Sequence, residues 1–340
     1  MSTHPRSYQD RRAFLLDGTT TTLAPVQPLR VAYPPSTNQH GPSPWPVMML
    51  VTAFELSSGL ALVPQTGPKN GPQATSELAL AEKLIGQLPA RSIVIADRNF
   101  GIFKVAYEFT QARHDVVLRL TKKRYGALIR KATKLTAGRW FVQWKPSRED
   151  RKSHPHLPAD ANVPGWVLEK PLANGQMLYL FSTMDQTRDA MADLYEKRWG
   201  AETNISQFKS TMQGESFRAK TVDMVSKELL MAIVGYNLTV QVRRLAAQKA
   251  GVEPRELSFQ GIWGLVIVFY QAVAELTSEE QIAEKFEKLI ELASQKKLPK
   301  RKKPRSYQRV AYAKRKKFPP RKHAAGEPNA PTESRAGDFQ

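Results

Sequence analysis

Hydrophobic patterning begins at Phe14-Leu15-Leu16, which runs through Asp17-Gly18 into the β-branched stretch Thr19 to Thr22. Apolar residues followed by β-branched ones predict a strand, with Asp17 inside it or at its end. Ala24 to Pro46, rich in Pro, Ser, Asn and Gly, reads as a loop. Val47 to Leu56 predicts a second strand. Ser57-Ser58-Gly59 turns the chain, and Leu60 to Val63 is expected to pair back as a short third strand. Ser76 to Leu88 predicts a helix: Ser76 is its cap, and Leu78, Leu80, Ala81, Leu84 and Leu88 form a broad apolar face. Ser92 to Ala96 is a continuous apolar run of the kind buried on both faces of a sheet, and it ends at Asp97. Gly101 to Arg113 is expected to be a helix and Val116 to Leu120 a strand.

Thr121 to Met184 breaks this alternation. Trp140, Phe141, Val142, Trp144, Trp166, Val167, Leu168, Tyr179, Leu180 and Phe181 mark short aromatic strands, around a Pro/His/Asp-rich loop from Lys145 to Pro164. Helical patterning resumes at Asp185 to Met212 and continues in Val222 to Gln248 and Phe259 to Ala293. Three strands, helix, strand, helix, strand is the order of a ribonuclease-H-like α/β core, with a mixed sheet, flanking helices and a β-rich insertion. The expected organisation is a first part of the core over 1–120, the insertion over 121–184, the completing helices over 185–295 and a basic, disordered tail over 296–340.

Charge narrows the partners. The 340 residues carry 51 Lys and Arg against 31 Asp and Glu, a net +20. Such a balance favours a polyanion, with nucleic acid first. Fourteen of the twenty net charges lie between Lys296 and Lys322, a stretch with no acidic residue. The absence of cysteine excludes a disulfide scaffold and thiolate metal sites, and fits a reducing compartment. Met1 to Arg12 has no apolar run, so a signal peptide is not expected. The most apolar segment, Ile262 to Ala274, is shorter than the ~20 residues a bilayer span needs and reads as a buried helix.

Candidate chemistry concentrates between Leu194 and Lys209. On one helix, at about 100° per residue, Tyr195, Arg198, Glu202 and Lys209 share an arc of roughly 60°. Leu194, Ala201, Ile205, Phe208 and Met212 form an adjoining apolar stripe. Glu196, Thr203, Asn204, Gln207 and Ser210 are left facing water. The bland alternative is an amphipathic helix with a Glu–Arg pair at i, i+4, worth only ~0.2–0.5 kcal/mol. Asp17 before Gly is also a common turn pair, and Asp97 at a strand end is equally a helix cap. Read together, Asp17, Asp97 and Glu202 stand where strands end or a helix crosses the sheet. Phosphodiester cleavage by two divalent ions needs such converging carboxylates, and oxygen ligands suit Mg²⁺ or Mn²⁺. His114, His154 and His156 are scattered, so zinc is not expected. No Gly-rich phosphate loop precedes a Lys-Ser/Thr pair, so ATP use is not indicated. Lys122, Lys123 and Arg124, with Arg130 and Lys131, either line a DNA channel or form a solvated edge. Trp144 or Trp166 is a candidate to stack on an extruded base, core packing being the alternative.

Tyr-x2-Arg-x3-Glu-x6-Lys, with Trp199 after the Arg, resembles the signature of the DDE transposases of the insertion sequence 4 family. Leu16-Asp17-Gly18-Thr19 resembles that family's first-Asp motif. Ala96-Asp97-Arg98-Asn99-Phe100 resembles its Asp-x-Gly/Ala-Phe motif, with Asn99 in place of the small residue. The likeness runs from about Leu15 to Lys322, including the basic stretch Pro304 to Val310. It implies that Asp17, Asp97 and Glu202 are catalytic and hold two Mg²⁺ or Mn²⁺ ions. It implies that Tyr195, Arg198 and Lys209 grip backbone phosphate near the cut. It also implies cut-and-paste transposition on double-stranded DNA, by a homodimer on paired ends, in the bacterial cytoplasm at the nucleoid. Family members place a helical end-binding region before the first Asp strand. Here 16 residues precede Asp17, so the expectation is non-specific DNA binding. The rivals are another ribonuclease-H-like nuclease, such as a junction resolvase, and a truncated, non-catalytic DNA-binding remnant.

Overall fold

The computed structural model describes residues 8–39, 41–172, 175–211 and 217–299. Among them the strands are β1 (Ala13–Thr22), β2 (Pro35–Asn38), β3 (Gly41–Glu55), β4 (Gln65–Pro68), β5 (Ile93–Ala96), β6 (Asp115–Arg119), β7 (Thr133–Thr136), β8 (Arg139–Trp144), β9 (Val163–Pro171) and β10 (Met177–Ser182). The helices are α1 (Gln27–Ala32), α2 (Glu77–Leu84), α3 (Phe103–Gln111), α4 (Lys122–Ile129), α5 (Arg148–Ser153), α6 (Arg188–Glu196), α7 (Trp199–Thr211), α8 (Val222–Ala250), α9 (Phe259–Val273) and α10 (Glu279–Ser294).

The strands form one mixed sheet in the order β2-β3-β1-β5-β6-β10-β9-β8-β7, with β4 on the other side of β3. At its centre β1, β5 and β6 are parallel, while β3 and β10 flank them antiparallel. The strands of the β-rich segment, β7 to β10, extend this same sheet. Side chains alternate along β1 between two cores. Ala13 and Leu15 pack with Leu194, Phe208, Tyr236 and Val240. Phe14 and Leu16 pack with Leu80, Leu84, Phe103 and Phe109. Strand β5 does the same, with Ile93 and Ile95 on the first side and Val94 and Ala96 on the second. The sheet therefore has α2, α3 and α4 on one face and α6, α7 and α8 on the other, and is ribonuclease-H-like as expected. Full burial on both faces is what makes β5 a continuous apolar run.

Several expectations are corrected. Ala24 to Pro46 contains α1, β2 and the start of β3, whose Pro42, Pro44 and Pro46 disguise an extended segment at a sheet edge. Leu60 to Val63 makes a single bridge to β3 at Ala61 instead of a strand, and β4 is the true partner. The reason is a competitor: Asn237 of α8 donates to the Ala61 carbonyl at 3.0 Å and accepts its N–H at 2.8 Å. The loop from Lys145 contains α5, started by a capping box at Ser147 and Asp150. Phe259 to Ala293 is two helices, α9 and α10. Only Phe259, Ile262 and Val266 of α9 are buried, whereas Val268 is 60% exposed, so the apolar segment is not a buried helix. Among the described residues no helix is long and apolar enough to cross a membrane.

Candidate active site

The period of two along a strand decides where the carboxylates go. Asp17 continues the side of β1 that carries Ala13 and Leu15, and Asp97 continues the Ile93–Ile95 side of β5. Leu16 pairs with Ala96 in the parallel ladder, so Asp17 and Asp97 leave neighbouring strands side by side, on the face covered by α7. Beyond Leu16, β1 keeps its β3 partner but loses β5. That open edge is where the site forms. The Asp97 loop is pinned: Asp97 accepts the Asn99 N–H at 2.8 Å, and Phe100 is buried. At Gly101 a Cβ would stand 2.0 Å from the Arg119 carbonyl oxygen, so a side chain there is excluded. Asn99 does not have a positive φ, so replacing a small residue by Asn there required no special backbone geometry.

Burial pushes the Asp17 carboxyl up to about 6. The Gly18 N–H, which it accepts at 2.8 Å, opposes this. The charge of Asp97 adds to the rise, Arg198 works against it, and Glu77 adds a further negative charge. Glu77 falls within the expected helix Ser76 to Leu88 but was not singled out by the sequence. Its carboxyl lies over Gly18, where a Cβ would meet Oε1 at 3.1 Å.

The signature residues do not lie on one helix. Helix α6 ends at Glu196 and α7 begins at Trp199, and the 60° arc is broken between them. Arg198 N–H donates to Tyr195 O at 2.9 Å and Gly200 N–H to Lys197 O at 3.0 Å, so the chain tightens from i, i+4 to i, i+3 bonding across the junction. Gly200, a weak helix former, is held there by the Arg255 guanidinium, which a Cβ would meet at 2.4 Å. Tyr195, Arg198 and Glu202 nonetheless remain neighbours. The Arg198 guanidinium lies 5.8 Å from the Tyr195 ring centroid and donates to Glu202 Oε1 at 3.3 Å. Burial works against the Arg198 charge, but Tyr195, Asp17 and Glu202 outweigh it and raise its pKa. Lys209 sits half-buried, about 10 Å further along α7 than Glu202.

Two buried polar atoms here, the Tyr195 hydroxyl and Arg198 Nε, have no hydrogen-bond partner among the described residues. Their residues are 5% and 8% exposed. Burial raises the Tyr195 pKa, Arg198 and Arg119 lower it, and Asp97 raises it, which places the ring among these charges; Arg198 comes near the hydroxyl but not in the geometry of a hydrogen bond. Arg119 ends β6 on the Val117 side, beside Asp97, and sequence reading missed it. The signal was present: a basic residue two positions after Val117, on the strand next to β5.

Other expected contacts are dispersed. Lys122 and Lys123 are exposed on α4, while the Arg124 guanidinium donates to Arg98 O at 3.5 Å, beside the Asp97 loop. Arg130 and Lys131 are exposed at the far end of that helix. Trp144 is 6% exposed and packs edge-on against Phe103 and Phe181, which corrects its candidacy as a base-stacking residue: its faces are committed to the core. Trp166 is half-buried, with the Arg139 guanidinium over its ring. His114 is buried and accepts the Ser92 N–H. Met212 and residues 300–322 of the basic stretch lie outside the described residues.

The water-facing side assigned to α7 is also corrected. Asn204 is fully buried, and its Oδ1 accepts from Arg255 at 3.4 Å. Gln207 Oε1 accepts from Arg243 at 3.1 Å. Phe208 packs against Tyr236. Burial lowers the pKa of both arginines, which hold α7 by its polar back.

The site thus combines two adjacent carboxylates with a second group, Tyr195, Arg198 and Glu202, that abuts them. No three carboxylate or imidazole groups among the described residues stand together at metal-holding spacing. Glu202 is engaged by Arg198. Hard oxygen donors around a desolvated, mutually repelling pair fit a divalent cation. A family model described as transposase DDE domain matches residues 8–238, which takes in the whole of this arrangement. No curated protein matches the chain.

Proposed function

Because the chain belongs to the transposase DDE domain family, we propose that it is the catalytic part of a DNA transposase of the insertion sequence 4 type. It would hydrolyse the phosphodiester at element ends and join the freed 3′-hydroxyl to target DNA. The observation that carries this reading is the pairing of Asp17 and Asp97 at adjacent strand ends, with the unpartnered Tyr195 hydroxyl and Arg198 Nε beside them.

Asp17, Asp97 and Glu202 would hold Mg²⁺ or Mn²⁺. The chemistry that two such ions supply is activation of the attacking oxygen and stabilisation of the leaving one. Asp17, desolvated and beside Asp97, gains most from a cation. Arg198 serves two partners: it holds Glu202 through one nitrogen and offers Nε to a phosphate oxygen. Tyr195 contributes a neutral donor to the same phosphate, and its burial keeps water from that side. Lys209, further along α7, meets a neighbouring part of the DNA backbone as a point charge. Lys122, Lys123 and Arg124 extend the basic surface along α4. The tail adds twelve Lys and Arg between residues 300 and 322.

Glu202→Ala is expected to abolish Mg²⁺-dependent nicking while leaving the fold and most DNA affinity intact. Nicking at the wild-type rate by that variant would remove α7 from the site. Arg198→Lys should cost activity despite keeping the charge, because the planar fork that meets both Glu202 and phosphate is lost. The same reading makes the protein a homodimer when it pairs two DNA ends.

A further inference from the structure

Among the described residues two arginines are buried, Arg198 at 8% and Arg243 at 3% exposed. Their charges are met differently. Arg198 has Glu202 at 3.3 Å and feels Asp17. Arg243, on α8, is met by neutral groups. Its Nη1 donates to Gln207 Oε1 at 3.1 Å, and its guanidinium carbon stands 5.5 Å from the centre of the Phe259 ring. The one formal charge that acts on it is a second cation, Arg255, and no carboxylate among the described residues acts on either guanidinium. A buried cation without an anion is costly unless something compensates it.

The same cluster leaves donors unused. Arg243 Nε and the Asn204 amide nitrogen are buried with no hydrogen-bond partner among the described residues, and Asn204 is fully buried. Both side chains border one space. Gly59 turns there at φ +79°, in the left-handed region that glycine adopts without strain. Beyond its chain neighbours, a Cβ on Gly59 would meet nothing closer than Arg243 Nη2 at 3.8 Å, with Asn204 Oδ1 and Val240 Cγ1 at 3.9 Å. The acceptors nearby are engaged: the Gly59 carbonyl by the Tyr236 hydroxyl, and Asn204 Oδ1 by Arg255. The space lacks an acceptor and the two guanidiniums lack a negative charge. A water molecule would supply the first. An anion would supply both. Arg255 is exposed, so the cluster opens to solvent along it.

We propose that a small monovalent anion, of the size and charge of chloride, binds between Arg243 and the Asn204 amide over Gly59, with Arg255 closing the site on the solvent side. The clearance of a single methyl group favours a monatomic ion over phosphate. The ion would link α7, which carries Asn204, to α8, which carries Arg243. It would brace the back of the helix whose other side bears Glu202. The site does not depend on the catalytic reading and stands or falls separately from it.

Thermal unfolding of the full chain in sodium chloride against sodium gluconate, at constant ionic strength and without DNA, tests this. Wild type should gain about 2–4 °C for each tenfold rise in chloride above its dissociation constant. Arg243→Gln should lose most of that gain, each variant being compared with itself in gluconate. Arg255→Gln, a change at the surface, should lose part of it. Lys249→Gln, which removes an exposed cation from the same helix outside the cluster, should keep all of it. Crystals grown in bromide should show an anomalous peak beside Arg243 Nε and the Asn204 amide. Should Arg243→Gln fail to fold, Arg255→Gln and the bromide peak decide. Equal midpoints in the two salts, a full chloride gain in Arg243→Gln, or density there without anomalous signal would mean that water serves these donors and that no anion is bound.

Discussion

At the scale of residues, Asp17 carries a cost that a structural carboxylate would not. Its pKa is raised to about 6, mainly by burial, from an ordinary value of 3.8. The folded state therefore holds a proton that the unfolded chain has already released between those two pH values. Stability must fall as pH rises from about 4 to about 6 and stay lowered above that. Asp17→Asn removes the ionisation, so it should raise the unfolding midpoint at pH 7–8, by on the order of 1–3 kcal/mol of stability. The gain should vanish below about pH 4, where wild-type Asp17 is neutral. Added Mg²⁺ should stabilise wild type and not the variant. Thermal melts at pH 4 and pH 8, with and without Mg²⁺, check all three points, and an Asn variant less stable at pH 8 would mean that Asp17 serves the fold instead. Tyr195 and Arg198 show the same tension: both are buried with a polar atom unpartnered, an arrangement that proteins tolerate mainly where a ligand completes it.

At the scale of elements, the strands bearing Asp17 and Asp97 were legible because a strand's alternation and burial are written in consecutive residues. The helix junction was not. A wheel drawn through Tyr195 to Lys209 assumes unbroken α geometry, and i, i+3 bonding at Lys197–Gly200 changes the phase without changing residue types. Asn204 and Gln207 looked suited to water because their partners, Arg255 and Arg243, lie 51 and 36 positions away. Glu77 was not singled out, because Gly18, which it meets, belongs to β1 and four elements separate β1 from α2. The polar back of α7 makes a prediction of its own. Gly200→Ala places a methyl 2.4 Å from the Arg255 nitrogen that donates to the buried Asn204 Oδ1. Either the guanidinium or the first turn of α7 must shift. We expect a loss of about 1–3 kcal/mol, and a disproportionate loss of nicking because Glu202 rides on that turn. In a double-mutant cycle, adding Arg255→Ala should recover part of the stability. Strict additivity would show that the two residues do not press on one another.

At the scale of the whole molecule, the proposed action on two DNA ends would require two copies of the chain to meet. Helix α8 suggests the means. Met224, Met231, Leu238 and Leu245 recur every seven residues and are 50%, 67%, 38% and 43% exposed. With Val234, 47% exposed, they form a seam about 30 Å long, of the period that packs one helix against another. A second copy of α8 is suited to cover it. Burying the exposed halves of such residues contributes roughly 1 kcal/mol each, against an association cost of about 4–15 kcal/mol. The seam alone therefore supports only a weak dimer, and DNA that holds two copies together should tip the balance. The chain has no cysteine, so a single introduced thiol reports its own neighbourhood. A two-fold axis through the seam brings some position close to itself. Val234→Cys, Met231→Cys and Leu238→Cys should be oxidised to disulfide-linked dimers at one position or more, and more efficiently when end-bearing DNA is present. Lys249→Cys, beyond the last seam residue, should not. Failure at all three seam positions with DNA bound, in variants that melt like wild type, would place the pairing surface on another part of the molecule.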